Sequence, residues 1–437
     1  MSRHRKTAAS LSVLGMGLGQ VYNRQYMKGL LMLLLYFTGL YFIITVLPKA
    51  LWGLVTLGDK ADRLEKVGRV YVNVRGDHSI FLMVEGIIAL LAALVLVYIY
   101  ALNIRDAYRV GKLRDEGGTA NGFGTTVKRI TEERFPLLVL SIPLLLVVFF
   151  TAMPILFMVL LAFTNFSFPN YLPPAKLVDW TGFKSFVDMF NVKAWSGTFI
   201  GVTVWTLIWM VSATVTVFFG GFLVALLVQM KGIRFKGFWR TLFIIPYAIP
   251  QFISLLIMKN MFNGQFGPIN QYLSYFGLGK LPWLTDPFWA KVTVIIVNIW
   301  IGFPITMLMI IGILSTISKD LYEAAEMDGA SGYRQFRAIT LPSIMYAFGP
   351  ILVMSFAGNI NNFNLIFLLT GGAPANADYK FAGSTDILIT WLYNLTLTQG
   401  KYNYASVIGL FIFIVIASLS IWNIRRTKAF KEEGDFH

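Results

Sequence analysis

Residues 323–342 read EAAEMDGASGYRQFRAITLP and form a polar segment between two long apolar runs. Acidic residues such as Asp320 stand where the first turn of a helix would lie, and there they stabilise the positive end of the helix dipole. The alanines that follow favour a helix. Gly329 and Gly332 offer an exit from it, and Pro342 marks the expected start of the next apolar span. The pattern predicts a short polar helix that joins two membrane-crossing segments.

The spacing within this segment follows a recognisable pattern of Glu-Ala-Ala, three residues, Gly, nine residues, Ile, one residue and Leu-Pro. The matching residues are Glu323, Ala324, Ala325, Gly329, Ile339, Leu341 and Pro342. The segment resembles the cytoplasmic loop of the membrane-spanning subunits of bacterial ABC importers. This resemblance implies a coupling helix that sits in a cleft of a partner ATPase. The implied ATPase-coupling residues are Glu323, Ala324, Ala325, Asp328 and Gly329. From the polar pattern alone, the alternative is an ordinary amphipathic loop helix.

The composition is that of a membrane protein. Of the 437 residues, 56% are hydrophobic and 14% are charged, whereas soluble domains carry roughly 25% charged residues. Several apolar runs reach the roughly 20 residues that a helix needs to cross a bilayer. The net charge of +15 does not indicate nucleic acid, because the basic residues cluster beside the apolar runs. There is no cysteine, and His4, His78 and His437 are too scattered to suggest a metal site.

An all-α membrane protein with eight spans is therefore expected. The spans lie near residues 30–57, 80–102, 135–163, 198–228, 239–262, 289–315, 343–370 and 402–424. With the N-terminus inside, 23 of the 37 Lys and Arg residues fall in inner segments, which favours cytosolic N- and C-termini. The exception is the outer 58–79 loop, which holds five basic residues. This orientation places the 316–342 loop in the cytosol, where an ATPase can reach it.

From residue 198 onward the pattern resembles the six-span core of type I ABC importer permeases without its first span, which residues 135–163 would supply. The predicted organisation has three parts. They are an N-terminal part, 1–134, with a cytosolic segment, two additional spans and a cytosolic linker; a permease core, 135–424, with the coupling loop 316–342; and a cytosolic tail, 425–437. The outer loop 164–197 is too short for the folded domain that the best-known maltose-type permeases carry there.

The sequence also bears on what drives transport. Gly117 and Gly122 are spaced as in a phosphate-binding loop, but Phe123 stands where that loop needs its lysine. ATP and Mg²⁺ are therefore expected on a separate ATPase chain, and this chain is expected to be a transporter subunit without cofactor or catalytic residues rather than an enzyme. An ion-coupled carrier is the alternative class. It usually needs ionisable groups within the membrane, yet only Glu85 of the 22 acidic residues falls in a predicted span.

Uncharged polar side chains mark a candidate substrate path. In the seventh span, Ser355, Asn359 and Asn362 are spaced i, i+4 and i+7, so on one helix they would share a face. Within a membrane such groups must face protein or water. They both donate and accept hydrogen bonds, which suits a neutral polyol. The spacing equally allows simple hydrogen bonding between helices.

In the fifth span, Pro246 and Pro250 are expected to break the helix. Broken helices near the middle of a membrane often mark transport sites. Tyr247 lies between the prolines, and its ring and hydroxyl suit a sugar. The alternative is a plain kink with a packed tyrosine. In the sixth span, Asn298 and Gly302 are weaker candidates.

Four runs resemble the larger subunit of maltose/maltodextrin permeases. They are residues 242–250, 296–304, 320–330 and 361–374. The resemblance implies a multi-pass subunit of the bacterial plasma membrane that pairs with a second homologous permease, two copies of an ABC ATPase and an extracytoplasmic sugar-binding protein. It implies ATP-driven import of maltose or maltodextrins by alternating access. Another oligosaccharide or a polyol carried by the same class of importer is the alternative.

The resemblance also implies which residues contact the sugar. Carried over position by position, they are Tyr247, Gln251, Gly302, Ile305, Ser355, Gly358, Asn359 and Asn362. Three depart from the family pattern: Gln251 stands where a serine is expected, Ile305 where a tyrosine is expected, and Gly358 where a phenylalanine is expected. The loss of two aromatic rings removes stacking surface for a sugar and bears on the preferred chain length.

Overall fold

The computed structural model describes residues 3–67, 69–132, 135–230 and 232–426. The chain divides into two compact units, Met1–Gly182 and Phe183–His437. Within the described residues, seven helices are long and apolar enough to cross a membrane, and the count is eight if one bent pair of helices is taken as a single span. The predicted helical membrane fold is confirmed. Most of the predicted cytosolic tail, residues 427–437, lies outside the described part of the chain.

The first unit contains three spans and a short N-terminal pair of helices. Its elements are α1 (Arg3–Leu14), α2 (Leu18–Tyr22), α3 (Tyr26–Tyr41), a wider π turn (Phe42–Val46), α4 (Leu47–Thr56), β1 (Arg63–Val67), β2 (Val70–Val74), α5 (Ser79–Asp115), α6 (Phe123–Thr131), α7 (Phe135–Val147), a second π turn (Val148–Ala152) and α8 (Met153–Leu161). β1 and β2 form an antiparallel hairpin with Arg63 opposite Val74. This hairpin lies in the basic 58–79 loop, where no regular structure was expected.

The N-terminal helix α1 packs against the far end of α5. The backbone N–H groups of His4 and Arg5 donate to the Asp115 carboxylate at 3.3 and 3.2 Å, so an acid from α5 caps the positive end of α1. A Cβ on Gly19 would lie 2.2 Å from the Ala8 carbonyl oxygen, so only glycine permits this approach of α2 to α1. With α1 packed against it, α5 continues to Asp115, well beyond the predicted end near residue 102.

The second unit contains the remaining spans. Its elements are α9 (Lys184–Asn191), α10 (Lys193–Gln229), α11 (Lys236–Ala248), α12 (Gln251–Met261), α13 (Pro268–Tyr275), α14 (Pro287–Thr316), α15 (Lys319–Met327), α16 (Gly332–Gln335), a π turn (Phe336–Thr340), α17 (Leu341–Ile360), α18 (Phe363–Leu369), α19 (Leu388–Tyr393), a π turn (Asn394–Thr398) and α20 (Tyr402–Arg426).

Helix α10 is the centre of this second unit. Two of its buried tryptophans, Trp205 and Trp209, pack in the apolar core and place their indole N–H groups on backbone carbonyls. Trp205 Nε1 donates to the Thr385 carbonyl at 3.1 Å, and Trp209 Nε1 donates to the Asn359 carbonyl at 3.0 Å. A buried indole needs such a partner. The two bonds tie α10 to the end of α17 and to the segment before α19.

Two helix boundaries differ from the prediction. The seventh span begins at Gly332 and runs without a break to Ile360, so Pro342 lies inside it rather than at its start. The wider turn at Phe336–Thr340 directly precedes this proline, which cannot donate the regular helical hydrogen bond. The helix then ends at Ile360 and a new one starts at Phe363, so residues 343–370 are not a single helix.

Candidate functional site

Three helices of the second unit, α10, α14 and α17, line a cavity of about 190 Å³, which we call the neutral cavity. It is lined by Thr214, Val217 and Phe218 from α10, by Asn298, Gly302, Ile305 and Thr306 from α14, and by Phe348, Leu352, Ser355 and Asn359 from α17. None of these lining side chains is ionisable. The neutral cavity therefore offers hydrogen bonds and apolar contact without charge, which suits a neutral polar molecule better than an ion.

Glycines bring α10 and α14 close together beside the neutral cavity. A Cβ on Gly302 would lie 2.9 Å from both Val217 methyl carbons, and a Cβ on Gly221 would lie 2.6 Å from Thr306 Cβ. Small residues allow such backbone approach between membrane helices, where packing rather than water exclusion holds helices together. The width of the neutral cavity is thus set by two glycines on facing helices.

Asn359 connects the helices that line the neutral cavity. Its Nδ2 donates to Thr214 Oγ1 at 3.0 Å, and its Oδ1 accepts from Asn362 Nδ2 at 3.4 Å. Its backbone carbonyl also accepts the Trp209 indole bond described above. Asn359 therefore provides the interhelical hydrogen bonding that was the alternative interpretation. The amide still has capacity to spare, because Nδ2 carries a second hydrogen and Oδ1 a second lone pair.

Two hydroxyls in the neutral cavity bond to their own helix. Ser355 Oγ donates to the Ile351 carbonyl at 2.9 Å, and Thr306 Oγ1 donates to the Gly302 carbonyl at 3.4 Å. A hydroxyl that donates in this way keeps its lone pairs as acceptors. These oxygens can therefore accept hydrogen bonds from a polyol without any helix losing a partner.

The structure brings together four of the eight predicted sugar contacts and leaves four elsewhere. Gly302, Ile305, Ser355 and Asn359 line the neutral cavity, whereas Tyr247, Gln251, Gly358 and Asn362 do not. Asn362 is not on the same helical face as Ser355, because α17 ends at Ile360 and Asn362 stands just before α18. It reaches the neutral cavity indirectly, through its bond to Asn359. The predicted i, i+4, i+7 face is wrong in its last member.

The predicted break in the fifth span is present. α11 and α12 meet at an angle of 90°. α11 continues through Pro246 and ends at Ala248, and Pro250 precedes the first residue of α12. The break is therefore at the second proline. Tyr247 is 57% exposed in this chain, so its ring is available to a ligand or to another subunit.

Six lining residues were not singled out from the sequence: Thr214, Val217, Phe218, Thr306, Phe348 and Leu352. Thr214 is the most informative, because it is 3% exposed and accepts the Asn359 hydrogen bond. Its only signal is a threonine within a long apolar run, and threonines in such runs commonly bond to their own helix. Val217, Phe218 and Phe348 look like any other core residue in the sequence. Their role depends on which helix faces which.

The predicted polar helix is present as α15. The Ser318 hydroxyl caps it by accepting from the Asp320 N–H at 3.2 Å, and Gly329 ends it with a φ of 73°, which favours glycine. Of the predicted coupling residues, Glu323, Ala324, Asp328 and Gly329 are exposed and Ala325 is half-buried. The Tyr322 hydroxyl lies within hydrogen-bonding distance of Thr340 Oγ1, at 2.9 Å. This hydrogen bond connects α15 to the first part of the seventh span, the helix that carries Ser355 and Asn359 of the neutral cavity.

A buried acid lies in the segment between α18 and α19. Asp386 is 5% exposed and accepts from the Gly383 N–H and the Thr390 hydroxyl, each at 2.7 Å. Burial raises the pKa of this carboxyl above its ordinary value, and the two hydrogen bonds offset part of that shift. Gly372 has a φ of 86°, and a Cβ there would lie 2.4 Å from both carboxylate oxygens.

Within the described residues, no group of three His, Cys, Asp or Glu side chains could hold a metal.

A bundle of membrane-crossing helices, one of them sharply broken, with an uncharged polar cavity and an exposed polar helix between spans, defines a transport permease subunit. The chain belongs to the family of binding-protein-dependent transport system inner membrane components, whose family model matches residues 217–426. With its apolar helices, it is a multi-pass membrane protein.

Similarity to individual proteins extends over the whole chain. It is 39% identical over 433 residues to the galactooligosaccharides transport system permease protein GanP of Bacillus subtilis (strain 168), covering 99% of this chain and 100% of that one. It is 35% identical over 447 residues to the maltodextrin transport system permease protein MdxF of the same strain, covering 99% and 98%. A chain in the crystal structure of a bacterial ABC transporter for alginate import shares the fold, with a TM-score of 0.56, 23% identity, and coverage of 70% of this chain and 100% of that one.

Proposed function

We propose that this chain is a permease subunit of an ATP-driven importer that carries neutral oligosaccharides, such as maltose and maltodextrins, into the cell. The observation that carries the proposal is the neutral cavity, which is uncharged, has both polar and apolar lining residues, and lies between three membrane-crossing helices. Charged cargo would need a compensating group, which none of the residues lining the cavity supplies. The maltodextrin and galactooligosaccharide permeases similar to this chain support an oligosaccharide as cargo.

A second homologous permease would complete the substrate site. The neutral cavity measures about 190 Å³, whereas sites for small molecules typically measure roughly 300–1,000 Å³. Tyr247 and Gln251 are exposed in this chain and are suited to a site shared with a partner. An extracytoplasmic binding protein would deliver the sugar, since the family is defined by dependence on one.

Energy would enter through α15. Two copies of an ABC ATPase would bind on the cytosolic side, with both termini of this chain on the same side, and ATP and Mg²⁺ would be held by the ATPases alone. Closure of the ATPases would move α15 and, through the Tyr322–Thr340 contact, rock α17 beside the neutral cavity. Access to the cavity would then alternate between the two sides of the membrane.

The coupling role of α15 can be tested with a matched pair of glycines. Gly329→Val forces a β-branched side chain into a backbone with a φ of 73°, whereas Gly332→Val does not, because no positive φ occurs there. We expect Gly329→Val to reduce uptake strongly while the protein remains in the membrane, and Gly332→Val to have a much smaller effect. Normal uptake by the Gly329 variant would refute the coupling role.

A specific observation favours a second cargo. The galactooligosaccharide permease GanP is 39% identical to this chain, whereas the maltodextrin permease MdxF is 35% identical. Ile305 and Gly358 also stand where the maltose-permease pattern has aromatic residues, which removes stacking surface for a glucose chain. Galactooligosaccharides are therefore the alternative substrate within the same class of importer.

The test is ATP-dependent uptake of labelled maltotriose or galactotriose into vesicles that carry the full complex. Ser355→Ala removes a lining hydroxyl that holds no other helix, and Ser343→Ala is the control, because Ser343 Oγ also donates to the carbonyl four residues earlier but does not line the cavity. We expect uptake of one trisaccharide, with a severalfold higher KM in the Ser355 variant only. If the wild type imports neither sugar, the proposed oligosaccharide cargo is wrong. If both variants change uptake equally, the proposal that the neutral cavity binds the sugar is wrong.

A further inference from the structure

A second and larger cavity lies in the first unit, where residues 20–32 meet the stretch 99–113 of α5, and its volume is about 520 Å³. We call it the basic cavity, after Lys28, Arg105 and Arg109 in its wall. It involves none of the residues discussed so far for transport. It lies where an apolar span gives way to a charged helix end, so its wall has both apolar and charged residues.

The charges in the basic cavity do not cancel. Lys28 Nζ lies 2.7 Å from Asp106 Oδ2, and Gln20 Nε2 donates to the same oxygen at 3.1 Å, so Asp106 is compensated. Arg105 and Arg109 are one turn apart on α5, are exposed, and form no ion pair within the described residues. Guanidinium groups bind phosphate with two parallel hydrogen bonds. One end of the basic cavity is therefore suited to a phosphate anion.

The other end of the basic cavity is apolar. Met32, Ile99 and Leu102 line it, and the α-helical rise puts Ile99 about 15 Å from Arg109 along the α5 axis. Between the two ends, Asn103 is 5% exposed, and neither its Nδ2 nor its Oδ1 has a hydrogen-bond partner within the described residues. An unsatisfied buried amide costs about 1–3 kcal/mol. The wall thus combines cations that suit a phosphate with an apolar slot.

From these features we infer that the basic cavity binds the phosphate group of an anionic phospholipid. Arg105 and Arg109 hold the phosphate, and an acyl chain runs along Met32 and Ile99. Basic pockets at the ends of membrane helices are suited to anionic headgroups. A free phosphate ion could bind the arginines in the same way as a headgroup, but it has no apolar part that would contact the apolar end of the cavity. The inference does not depend on the sugar cargo.

The test uses native mass spectrometry of the full-length chain, purified with the subunits it retains and titrated with an equimolar mixture of phosphatidylglycerol and phosphatidylcholine. The double variant Arg105→Gln/Arg109→Gln removes the free cations. Arg69→Gln/Arg75→Gln is the matched control, because both arginines are exposed, belong to the same unit and lie outside the basic cavity. We expect wild type and control to prefer phosphatidylglycerol, and the Arg105/Arg109 variant to lose roughly tenfold or more of that preference.

Two further arms separate lipid from free phosphate. Met32→Trp fills the apolar end without a change of charge and should weaken phosphatidylglycerol binding. Millimolar inorganic phosphate should not displace the lipid from the wild type. Complete displacement, with Met32→Trp unaffected, would assign the same arginines to a free phosphate and reject the lipid. Equal retention of both lipids by the wild type, or equal losses in the two double variants, would overturn the site altogether.

Discussion

The neutral cavity of the second unit and the basic cavity of the first unit are both polar spaces between membrane-crossing helices, but they use different chemistry. The polar groups that line the neutral cavity are hydroxyls and amides, which bond to one another, to their own helix or to the backbone of a neighbouring helix. The basic cavity contains four charged residues, one of them an acid, at the end of a span. The difference matches position along the apolar runs, because charge is costly within a membrane-crossing segment and much less so near its ends.

The comparison would break most visibly if the neutral cavity tolerated a charge. Ser355→Asp places a carboxylate where no lining residue can compensate it. We expect a cost of about 3 kcal/mol, with loss of uptake and of assembled protein in the membrane. Yield and thermal stability of the purified chain measure this. Ser331→Asp is the control, because Ser331 is exposed and lies just before the span begins at Gly332, and it should cost much less. Equal losses would mean that position along the span does not decide the cost of the charge.

The glycine contacts that define the neutral cavity provide the next test. Gly221→Ala would place a Cβ 2.6 Å from Thr306 Cβ and 2.8 Å from the Met307 backbone nitrogen, so α10 and α14 must separate. We expect a loss of about 1–3 kcal/mol in unfolding free energy. Gly312→Ala is the matched change, because nothing lies within 4 Å of a Cβ there, and it should be neutral or slightly stabilising. Thermal unfolding of both variants measures the difference, and equal unfolding temperatures would contradict the close packing of α10 against α14 at Gly221.

In the basic cavity, one substitution should lower the stability of the protein and raise its preference for anionic lipid. Asp106→Asn removes the acid that pairs with Lys28, which should cost about 1 kcal/mol of stability. It also frees a third cation, so the preference for phosphatidylglycerol should rise. Native mass spectrometry of the variant, beside its melting temperature, measures both. A variant that loses stability and anionic-lipid preference together would show that Asp106 organises the basic cavity rather than limiting its charge.

The smallest expected effect concerns pH. The neutral cavity has no titratable lining residue, whereas Asp386 in the same unit has a pKa that burial raises. The folded state therefore binds a proton more readily than the unfolded state, whose aspartate has a pKa of about 3.9. Its contribution to stability is greatest below that value and is lost as the pH rises through the folded pKa. Asp386→Asn should flatten this part of the stability–pH curve, and an unchanged slope would contradict the assignment.

Some features could be read from local sequence because they depend on near neighbours. Apolar runs long enough to cross a bilayer predicted the spans, and Pro250 predicted the break between α11 and α12. Asp320 and Gly329 predicted the short helix α15. The structure adds the N-terminal cap that the Ser318 hydroxyl provides. Asn359 was singled out because an amide within an apolar run needs a partner wherever it lies.

Other features depended on contacts between distant residues. The predicted face of Ser355, Asn359 and Asn362 failed because the helix ends at Ile360, where Asn359 turns to Thr214 on another helix. The roles of Thr214 and Val217 became visible only once α10 lay beside α14 and α17.

The sequence by itself determined the membrane class, the number of spans, the polar helix between them and the resemblance to importer permeases, because hydropathy, proline and capping residues act over a few neighbours. Only the tertiary structure decided which uncharged groups share the neutral cavity and that residues 20–32 and 99–113 form a basic one. The physical reason is that a helix has several faces of similar composition, and packing selects which of them meet.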